Sequence, residues 1–421
     1  MSLTSAGGVN IIGAGLAGSL LAILLARRGF KVTVYERRGD PRHFVADGGR
    51  SINLALAARG IRALELAGAL DDVMRFAIPM RGRMVHEHDG RAQLQMYGVR
   101  PEEVIYSVSR AALNRVLIEA ADELDNVELR FECEAHGFGD APMQVELVDR
   151  RTGRIFAANP GWPAVATDGG GSALRHALES NGFTRVREEL LDHDYKELTI
   201  PAADGRHVME KNALHIWPRG GFMLIALPNL DGSFTATLFL AKHGANSFDL
   251  LKSPADVEAF FAREFPSARA LMPGLAREFF ENPQGLLGTV YADGWHAGGN
   301  VLLLGDAAHA IVPFHGQGMN CAFEDCVELD AMLAQSRDWA TVFARFERER
   351  KPNTDAIAEM ALENYREMRS DVLDAGYREK KKRAEELQQQ DPGFIPRYSM
   401  VMFHPEIPYA EIVRRLRLEE A

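Results

Sequence analysis

The stretch Val9-Asn10-Ile11-Ile12-Gly13-Ala14-Gly15-Leu16-Ala17-Gly18 decides the fold of this 421-residue chain. Its apolar start predicts a buried parallel strand, and the residues from Leu16 to Arg28 predict a helix that Gly29 ends. A second strand is predicted from Lys31 to Tyr35, with Glu36 at its end. In this strand–helix–strand setting the glycine pattern predicts a dinucleotide-binding turn.

Each glycine of this turn has its own physical task. Gly13 permits the tight turn, Gly15 lets the backbone approach a pyrophosphate, and Gly18 lets helix and strand pack closely. Glu36 is placed to accept the ribose hydroxyls of an adenosine, and its charge would repel a 2′-phosphate. The pattern therefore predicts FAD or NAD rather than NADP. Arg37-Arg38 is either an exposed basic pair or lies along the adenosine.

A second motif, far downstream, favours a flavin over a nicotinamide. A buried strand is predicted from Asn300 to Leu304 and is followed by Gly305-Asp306, whose carboxylate can bind a ribityl hydroxyl. The segment from Pro313 to Gly318 is too rich in proline and glycine for regular structure. A helix is predicted from about Met319, and the free N–H groups at Gly318 to Asn320 form an anion site. These groups would face the flavin ring and stabilise its reduced, anionic form.

Other chemistries find little support in the residues. His309 and His315 could bind a metal or act as a base, but no matching carboxylate or histidine cluster is evident in the sequence, so no metal site is predicted. No Gly-x-Ser-x-Gly elbow is present, which argues against a serine hydrolase. The three cysteines are too few for a disulfide framework and are typical of a reducing compartment.

Composition and charge indicate a cytoplasmic protein. Hydrophobic residues make up 46% of the chain and charged residues 25%, as in ordinary globular proteins. The net charge of −11 argues against nucleic acid as a partner. The apolar start of the chain is not preceded by positive charge, so we expect neither a signal peptide nor a membrane anchor. The oligomeric state is not predicted.

Together with Asp168-Gly169, the two motifs resemble the FAD-dependent aromatic hydroxylases of the p-hydroxybenzoate hydroxylase fold. Further stretches narrow the similarity to the kynurenine 3-monooxygenase family. These stretches are residues 49–56 (GRSINLAL), 80–86 (MRGRMVH), 313–321 (PFHGQGMNC), 363–365 (ENY) and 396–400 (PRYSM). The resemblance extends to about Phe403, and one departure is Ala166, which stands where the family usually has glycine before Asp168-Gly169.

The resemblance implies roles for particular residues. Substrate contacts are implied for Arg83 and Tyr97, which match residues that hold the amino-acid carboxylate of kynurenine, and for Asn364, Tyr398, Phe314 and His315. Cofactor contacts are assigned, from the motifs and the resemblance together, to Gly13, Gly15, Ala17, Gly18, Glu36, Arg37, Arg38, Ala55, Arg110, Asp168, Asp306, Gly318, Met319 and Asn320. No side chain is expected to act as nucleophile, because the flavin performs the chemistry.

The expected fold is α/β, with a Rossmann-like FAD-binding domain, a mixed-sheet substrate domain and a C-terminal helical region. The FAD-binding domain is expected to be discontinuous, over 1–75, 100–180 and 285–360. The substrate domain is expected over 76–99 and 181–284, with an antiparallel sheet as one wall of an apolar pocket. The helical region is expected over 361–421.

The resemblance implies an enzyme that hydroxylates L-kynurenine to 3-hydroxykynurenine in tryptophan catabolism, with bound FAD and with NADPH and O2 as co-substrates. Two alternatives stay open from the residues. One is a flavin hydroxylase of another amino- or hydroxy-aromatic acid, and the other is a non-catalytic flavoprotein. Arg83 alone is equally compatible with a structural ion pair.

Overall fold

A computed structural model describes residues 7–43, 53–139, 141, 143–369 and 393–419, with isolated positions between 376 and 391. The first part of the stretch at 49–56 therefore lies outside the described residues. In chain order the strands are β1 Gly8–Ile12, β2 Lys31–Glu36, β3 Asn53–Leu56, β4 Ile78–Met80, β5 Gly82–His86, β6 Ala92–Met96, β7 Ile105–Ser109, β8 Val127–Phe131, β9 Cys133–Phe138, β10 Val145–Asp149, β11 Ile155–Ala157, β12 Ala164–Ala166, β13 Val186–Ile200, β14 Ala213–Pro218, β15 Met223–Pro228, β16 Phe234–Ala241, β17 Gln284–Ala292, β18 His296–Ala297 and β19 Val301–Leu303.

The helices follow the same order along the chain. They are α1 Leu16–Arg27, α2 Ala58–Ala67, α3 Leu70–Met74, α4 Arg110–Asp122, α5 Ala173–Ser180, α6 Pro254–Glu264, α7 Pro266–Arg269, α8 Leu275–Glu281, α9 Asp306–His309, α10 Gly318–Gln335, α11 Trp339–Arg369, α12 Arg397–Phe403 and α13 Tyr409–Glu419. Short 3-10 turns cover Phe248–Leu250 and Pro313–His315. No helix among the described residues has the length and apolarity that crossing a membrane requires.

A six-stranded sheet carries the two glycine motifs. Its order is β18-β19-β12-β1-β2-β8, and every neighbouring pair is parallel except β18 with β19. Helix α1 leaves the carboxyl end of β1, and α9 follows β19 at the same edge of the sheet. Because ligands of such sheets bind outside the carboxyl ends of the strands, both motifs lie at the edge where a cofactor is expected.

A seven-stranded mixed sheet forms the second layer, in the order β17-β13-β16-β15-β14-β5-β6. Its pairs are antiparallel except β14 with β5. Strand β17, which begins beside the expected domain boundary at residue 285, belongs to this sheet. The fold class predicted from the sequence is confirmed by the sheets and by the helical C-terminal region.

The two faces of the mixed sheet pack against different parts of the molecule. On one face, alternate residues such as Leu224, Ala226 and Leu238 join a core that includes α6 and α8. On the other face, Met223, Leu227 and Phe239 join a core that includes α11, α12 and α13. Since side chains alternate along a strand, one sheet serves two separate interiors.

Candidate active site

The turn between β1 and α1 has the geometry that its glycines predict. Gly13 has a φ of 106°, and a Cβ there would lie 2.6 Å from the carbonyl oxygen of Thr167. A Cβ on Gly18 would lie 1.9 Å from the carbonyl oxygen of Gly13. A Cβ on Gly15, by contrast, would meet no atom within 4 Å. Gly13 and Gly18 are therefore required by the fold, and Gly15 leaves open space at the helix start.

Thr167, which the sequence analysis missed, fastens this turn. Its hydroxyl lies 3.0 Å from the carbonyl oxygen of Ile12 and 2.9 Å from that of Gly13, and its N–H donates to Ile12. The carboxylate of Glu36 accepts from the N–H of Ala14 and from the N–H of Arg38, both at 2.9 Å. Arg37 and Arg38 have exposed side chains, so their contact with an adenosine stays a prediction.

The second helix start, at α10, is built by contacts from several elements. The helix begins at Gly318, one residue before the predicted start, and follows a 3-10 turn in the segment that was expected to be irregular. The buried side chain of Asn320 donates to the carbonyl oxygens of Ala55 and Gly316 and accepts from the N–H of Ala57. Its side chain therefore joins α10 to β3 and does not point into a ligand space.

Both helix starts border one cavity of about 430 Å³ between the two sheets. Its walls include most of the residues that the sequence analysis singled out, from positions scattered along the chain. These are Gly15, Ala17, Ala55, Arg83, Tyr97, Arg110, Asp306, Phe314, His315, Gly318, Met319 and Tyr398. The side chains of Asp306 and Arg110 are exposed, and Gly169 and Thr167 complete the wall near the first turn.

The mixed sheet supplies the apolar wall of the cavity. The lining residues alternate along β15 and β16, as Met223, Ile225 and Leu227 and as Thr235, Thr237 and Phe239. The sequence analysis predicted the sheet and its pocket wall but did not name these positions. The alternation of side chains along a strand could have identified them as one set, but a single sequence does not show which face of the sheet lines the pocket.

Arg83 lies in the cavity wall among aromatic rings and is 8% exposed. Its guanidinium carbon lies 4.9 Å from the ring centroid of Tyr398 and 5.8 Å from that of Tyr97. The two tyrosine rings stack with centroids 5.3 Å apart. Burial raises the pKa of both phenols although the charge of Arg83 opposes it, so both hydroxyls stay protonated and able to donate.

Phe314 and His315 lie between this arginine cluster and the start of α10. The Phe314 ring stacks on Tyr365 with centroids 3.9 Å apart, and the His315 ring stacks on Tyr398 at 5.8 Å. Burial, with the nearby charges of Arg397 and Arg83, lowers the pKa of His315 to about 3, so its imidazole is neutral at physiological pH. Among the described residues, its Nδ1 has no hydrogen-bond partner.

Asn364 and Asp168 are among the predicted contact residues that lie outside the cavity wall, together with Gly13, Gly18, Glu36, Arg37, Arg38 and Asn320. The Asn364 side chain donates to the carbonyl oxygen of Phe314 at 2.6 Å and so fixes the backbone beside the ring of that residue. The Asp168 carboxylate accepts from the N–H of Ala173 at 2.8 Å, at the start of α5. Burial raises the pKa of Asp168. Direct ligand contacts of Asn364 and Asp168 stay predictions.

His309 has a carboxylate partner that the sequence analysis did not find. Its Nε2 lies 2.6 Å from Oδ2 of Asp325, one helix turn along from Cys321, and the ligand atoms of the three residues lie within 4.8 Å of one another. Arg350 donates to Oδ1 of Asp325 at 2.7 Å and lies 3.7 Å from the sulfur of Cys321. A permanent cation at this place repels a metal ion, and burial raises the pKa of the Cys321 thiol well above its usual value. We therefore assign no metal to this cluster.

The cavity fits a flavin dinucleotide on three observations. Neither α1 nor α10 has an acidic side chain in its first turn or a side-chain cap on its free N–H groups. Open space adjoins Gly15, where a pyrophosphate needs close approach to the backbone. The lining between the two helix starts is largely apolar, as a planar ring system requires.

Two solved structures share this fold. The tetrameric form of 2-methyl-3-hydroxypyridine-5-carboxylic acid oxygenase superposes with a TM-score of 0.69 at 21% identity, over 98% of each chain. PqsL of P. aeruginosa, in complex with 2-aminobenzoylacetate, superposes with a TM-score of 0.70 at 23% identity, over 88% of this chain and 99% of that one. At these identities the likeness concerns the fold alone.

Sequence relatives are much closer. Residues 7–361 match the family of the FAD binding domain. Kynurenine 3-monooxygenase of Stenotrophomonas maltophilia is 49% identical over 98% of this chain and 90% of its own length. The enzyme of the same name from Myxococcus xanthus is 50% identical over 95% of this chain and 86% of its own length. The chain therefore belongs to the kynurenine 3-monooxygenase family of FAD-binding proteins.

Proposed function

We propose that this protein hydroxylates L-kynurenine to 3-hydroxykynurenine, with bound FAD and with NADPH and O2 as co-substrates. The observation that carries the proposal is a buried guanidinium, that of Arg83, in the wall of a largely apolar cavity that two helix starts also border. Kynurenine has a matching shape, with an amino-acid carboxylate at one end and an aromatic amine at the other. A planar guanidinium binds a carboxylate through two parallel hydrogen bonds.

Arg83, Tyr97 and Tyr398 would hold the amino-acid end of the substrate. The two phenols are neutral donors beside the guanidinium, so they add hydrogen bonds to the carboxylate without adding negative charge. The low exposure of Arg83 strengthens this interaction, because little water competes for the charge. Asn364 would act on the substrate through Phe314, whose backbone it fixes.

The start of α1, with Gly15 and Ala17, would hold the pyrophosphate of FAD, and Glu36 the adenosine ribose. Asp306 and Arg110 would contact the middle of the cofactor. The N–H groups at Gly318, Met319 and Asn320 would face the ring and stabilise negative charge on it. When bound, the flavin supplies hydride acceptance from NADPH and the activation of O2.

The remaining wall would orient the aromatic ring and keep water out. Met223, Ile225 and Leu227 of the mixed sheet offer apolar surface. Phe314 packs on Phe239 of the same sheet, with ring centroids 5.0 Å apart. Exclusion of water would limit side reactions of the activated oxygen before it reacts with the substrate. His315 is neutral and therefore places no charge next to the ring.

The test compares L-kynurenine with its decarboxylated analogue in the wild-type protein and in Arg83→Ala. Loss of a bidentate charged contact should weaken kynurenine binding about 100-fold or more. Binding of the analogue, which has no carboxylate, should change little, and FAD should stay bound. If Arg83→Ala weakens both ligands equally, the carboxylate role is wrong.

Arg91→Ala provides a matched control. Arg91 lies in the hairpin that joins β5 to β6, is exposed, and pairs with Glu87 and Asp89. Its removal should alter neither ligand. A panel of other amino- and hydroxy-aromatic acids, scored for hydroxylated product per NADPH consumed, separates kynurenine from the alternative substrates. A higher yield with another acid would reassign the substrate within the same enzyme class.

A further inference from the structure

The residue that precedes α10 is held from outside the flavin-binding part of the chain. Gln317 is fully buried, and its side-chain oxygen lies 2.7 Å from the hydroxyl of Tyr409, which donates to it. Its side-chain nitrogen lies 3.0 Å from the sulfur of Met402. Both partners belong to the C-terminal segment from Arg397 to Glu419. The position of the second helix start therefore depends on that segment.

The same C-terminal segment forms part of the cavity wall. Tyr398 and Met402, both on α12, line the cavity, and Tyr398 lies beside Arg83. Gln317 thus connects the helix start that would face the flavin with the segment that would face the substrate. Its backbone begins the helix whose N–H groups would face the flavin ring, and its side chain binds the segment that would contact the substrate.

Arg59 fixes the C-terminal segment in place. Its buried guanidinium donates to the carbonyl oxygens of Val401 and Ile407 and lies 3.9 Å from the ring centroid of Tyr409. It also pairs with Glu324 of α10 at 2.9 Å. Because Arg59 holds the backbone of α12 and of the turn between α12 and α13, Tyr409 has a defined position relative to α10.

Polar contacts of α10 also connect it to the end of β19, at Gly305, where the strand borders the cavity. Glu324 pairs with Arg350 at 2.8 Å, and Arg350 pairs with Asp325. Asp325 accepts from the N–H of Gly305 at 3.2 Å, next to Asp306 in the cavity wall. One buried network therefore reaches the Gly305 strand end, the start of α10 and the substrate-facing segment.

We propose that Tyr409 is a positioning residue, whose hydrogen bond to Gln317 couples the substrate-facing C-terminal segment to the helix start at the flavin ring. This inference rests on the proposed hydroxylation. Kynurenine bound against Tyr398 would be linked through this segment and Gln317 to the N–H groups at Gly318 to Asn320, which would face the flavin ring. Without the hydroxyl of Tyr409, the side chain of Gln317 would keep only its weaker bond to the sulfur of Met402, and the link between the segment and the helix start would be weakened.

The test measures Tyr409→Phe, which removes one buried hydroxyl and keeps the ring that packs on Arg59. We expect wild-type FAD content and a wild-type rate of NADPH oxidation without substrate. The acceleration of NADPH oxidation by kynurenine should fall about fivefold to tenfold, as the loss of one buried hydrogen bond implies. The change in the flavin absorption spectrum on kynurenine binding should shrink in parallel. A variant with wild-type acceleration and a wild-type spectral change overturns the proposal.

The double variant Tyr409→Phe with Gln317→Leu separates positioning from simple stability. Replacing both partners by apolar groups restores stability, because no buried acceptor is left without a donor. The proposed coupling requires the bond itself. The acceleration of NADPH oxidation by kynurenine should therefore be as low in the double variant as in Tyr409→Phe. Recovery of the kynurenine response in the double variant would mean that the bond only stabilises the fold, and the proposal would be wrong.

Tyr291→Phe is the control for loss of a tyrosine hydroxyl. Tyr291 lies on β17, away from the cavity wall, and stacks under Arg187 at 4.1 Å. It should respond to kynurenine as the wild-type protein does. If the wild-type protein shows no kynurenine response at all, the proposed hydroxylation has failed. A response in wild type that Tyr409→Phe retains refutes only the coupling.

Discussion

The two helix starts at the cavity reach the same geometry by different means. The start of α1 is shaped mainly by its own glycines, because a Cβ on Gly18 would clash with the carbonyl oxygen of Gly13, and Thr167, which follows the adjacent strand β12, donates to the same oxygen. The start of α10 is fixed by distant parts of the chain, through the side chains of Asn320 and Gln317. The first is therefore a local motif that a sequence displays, and the second is a product of the assembled fold.

The largest expected effect concerns the local start. Gly18→Ala places a Cβ 1.9 Å from the carbonyl oxygen of Gly13, which is backbone and cannot rotate away. We expect a loss of about 3 kcal/mol or more in the free energy of unfolding, together with loss of FAD. Thermal unfolding and the flavin content of purified protein measure it. Gly221→Ala, where an added Cβ meets no atom within 4 Å, is the control. Equal stability of the two variants would refute the close contact.

At the start of α10, replacement of the side-chain nitrogen of Asn320 by oxygen should lower the stability of the protein. Asn320→Asp keeps the acceptor for the N–H of Ala57 but turns the donor toward Ala55 and Gly316 into a second acceptor. We expect about 2 to 3 kcal/mol of lost stability, because buried oxygens then face each other without a donor. Urea unfolding tests this, with Asn181→Asp at the exposed end of α5 as control. An unaffected Asn320→Asp would show that α10 starts without this support.

Gly15→Ala separates binding from folding at the local start. An added Cβ meets no protein atom within 4 Å, so the free energy of unfolding of the protein without flavin should stay unchanged. The methyl group would occupy space that the pyrophosphate needs, and FAD affinity should fall about 10-fold to 100-fold. Fluorescence titration of the apoprotein with FAD provides the measurement. Undiminished affinity would mean that the pyrophosphate lies elsewhere.

The smallest expected effect, over the range from pH 6.5 to 5, is a pH-dependent loss of stability through His315, which precedes the assembled start. Burial lowers the pKa of His315 from its usual 6.5 to about 3. The unfolded chain therefore binds a proton below pH 6.5 that the folded chain does not bind until about pH 3. Stability contributed by the neutral ring is full above pH 6.5 and falls toward pH 3, by up to about 1.4 kcal/mol per pH unit.

His315→Asn removes this titration. Between pH 6.5 and 5 its stability should decline less steeply than that of the wild-type protein, as chemical unfolding at several pH values would show. His176→Asn, at an exposed position on α5, should leave the slope unchanged. A slope shared by all three proteins would mean that His315 titrates normally.

Local features were predictable from the sequence because neighbours along the chain determine them. The predicted helix after the first glycine motif ends one residue early, at Arg27, and Gly29 adopts a φ of 90° as its position implied. The antiparallel sheet that was expected between residues 181 and 284 is present as β13 to β16 of the mixed sheet. The two glycine motifs meet at one cavity, as their shared sheet edge required.

Contacts between distant residues were not predictable. The partner of His309 is a carboxylate on another helix, and the bond between Tyr409 and Gln317 joins residues 92 positions apart. No periodicity or spacing in a single sequence records such pairs. The family resemblance predicted a substrate contact for Asn364, but only the structure shows the hydrogen bond from its side chain to the backbone of Phe314.

The alternation along β15 and β16 has a consequence for how this protein family can diverge. Ile225 and Thr237 face the cavity, whereas their neighbours Leu224, Ala226 and Leu238 pack in a separate interior. Mutations of Ile225 or Thr237 would alter the cavity wall, whereas mutations of Leu224, Ala226 or Leu238 would disturb the separate core. Natural selection can therefore retune substrate choice in small steps while the architecture survives each one.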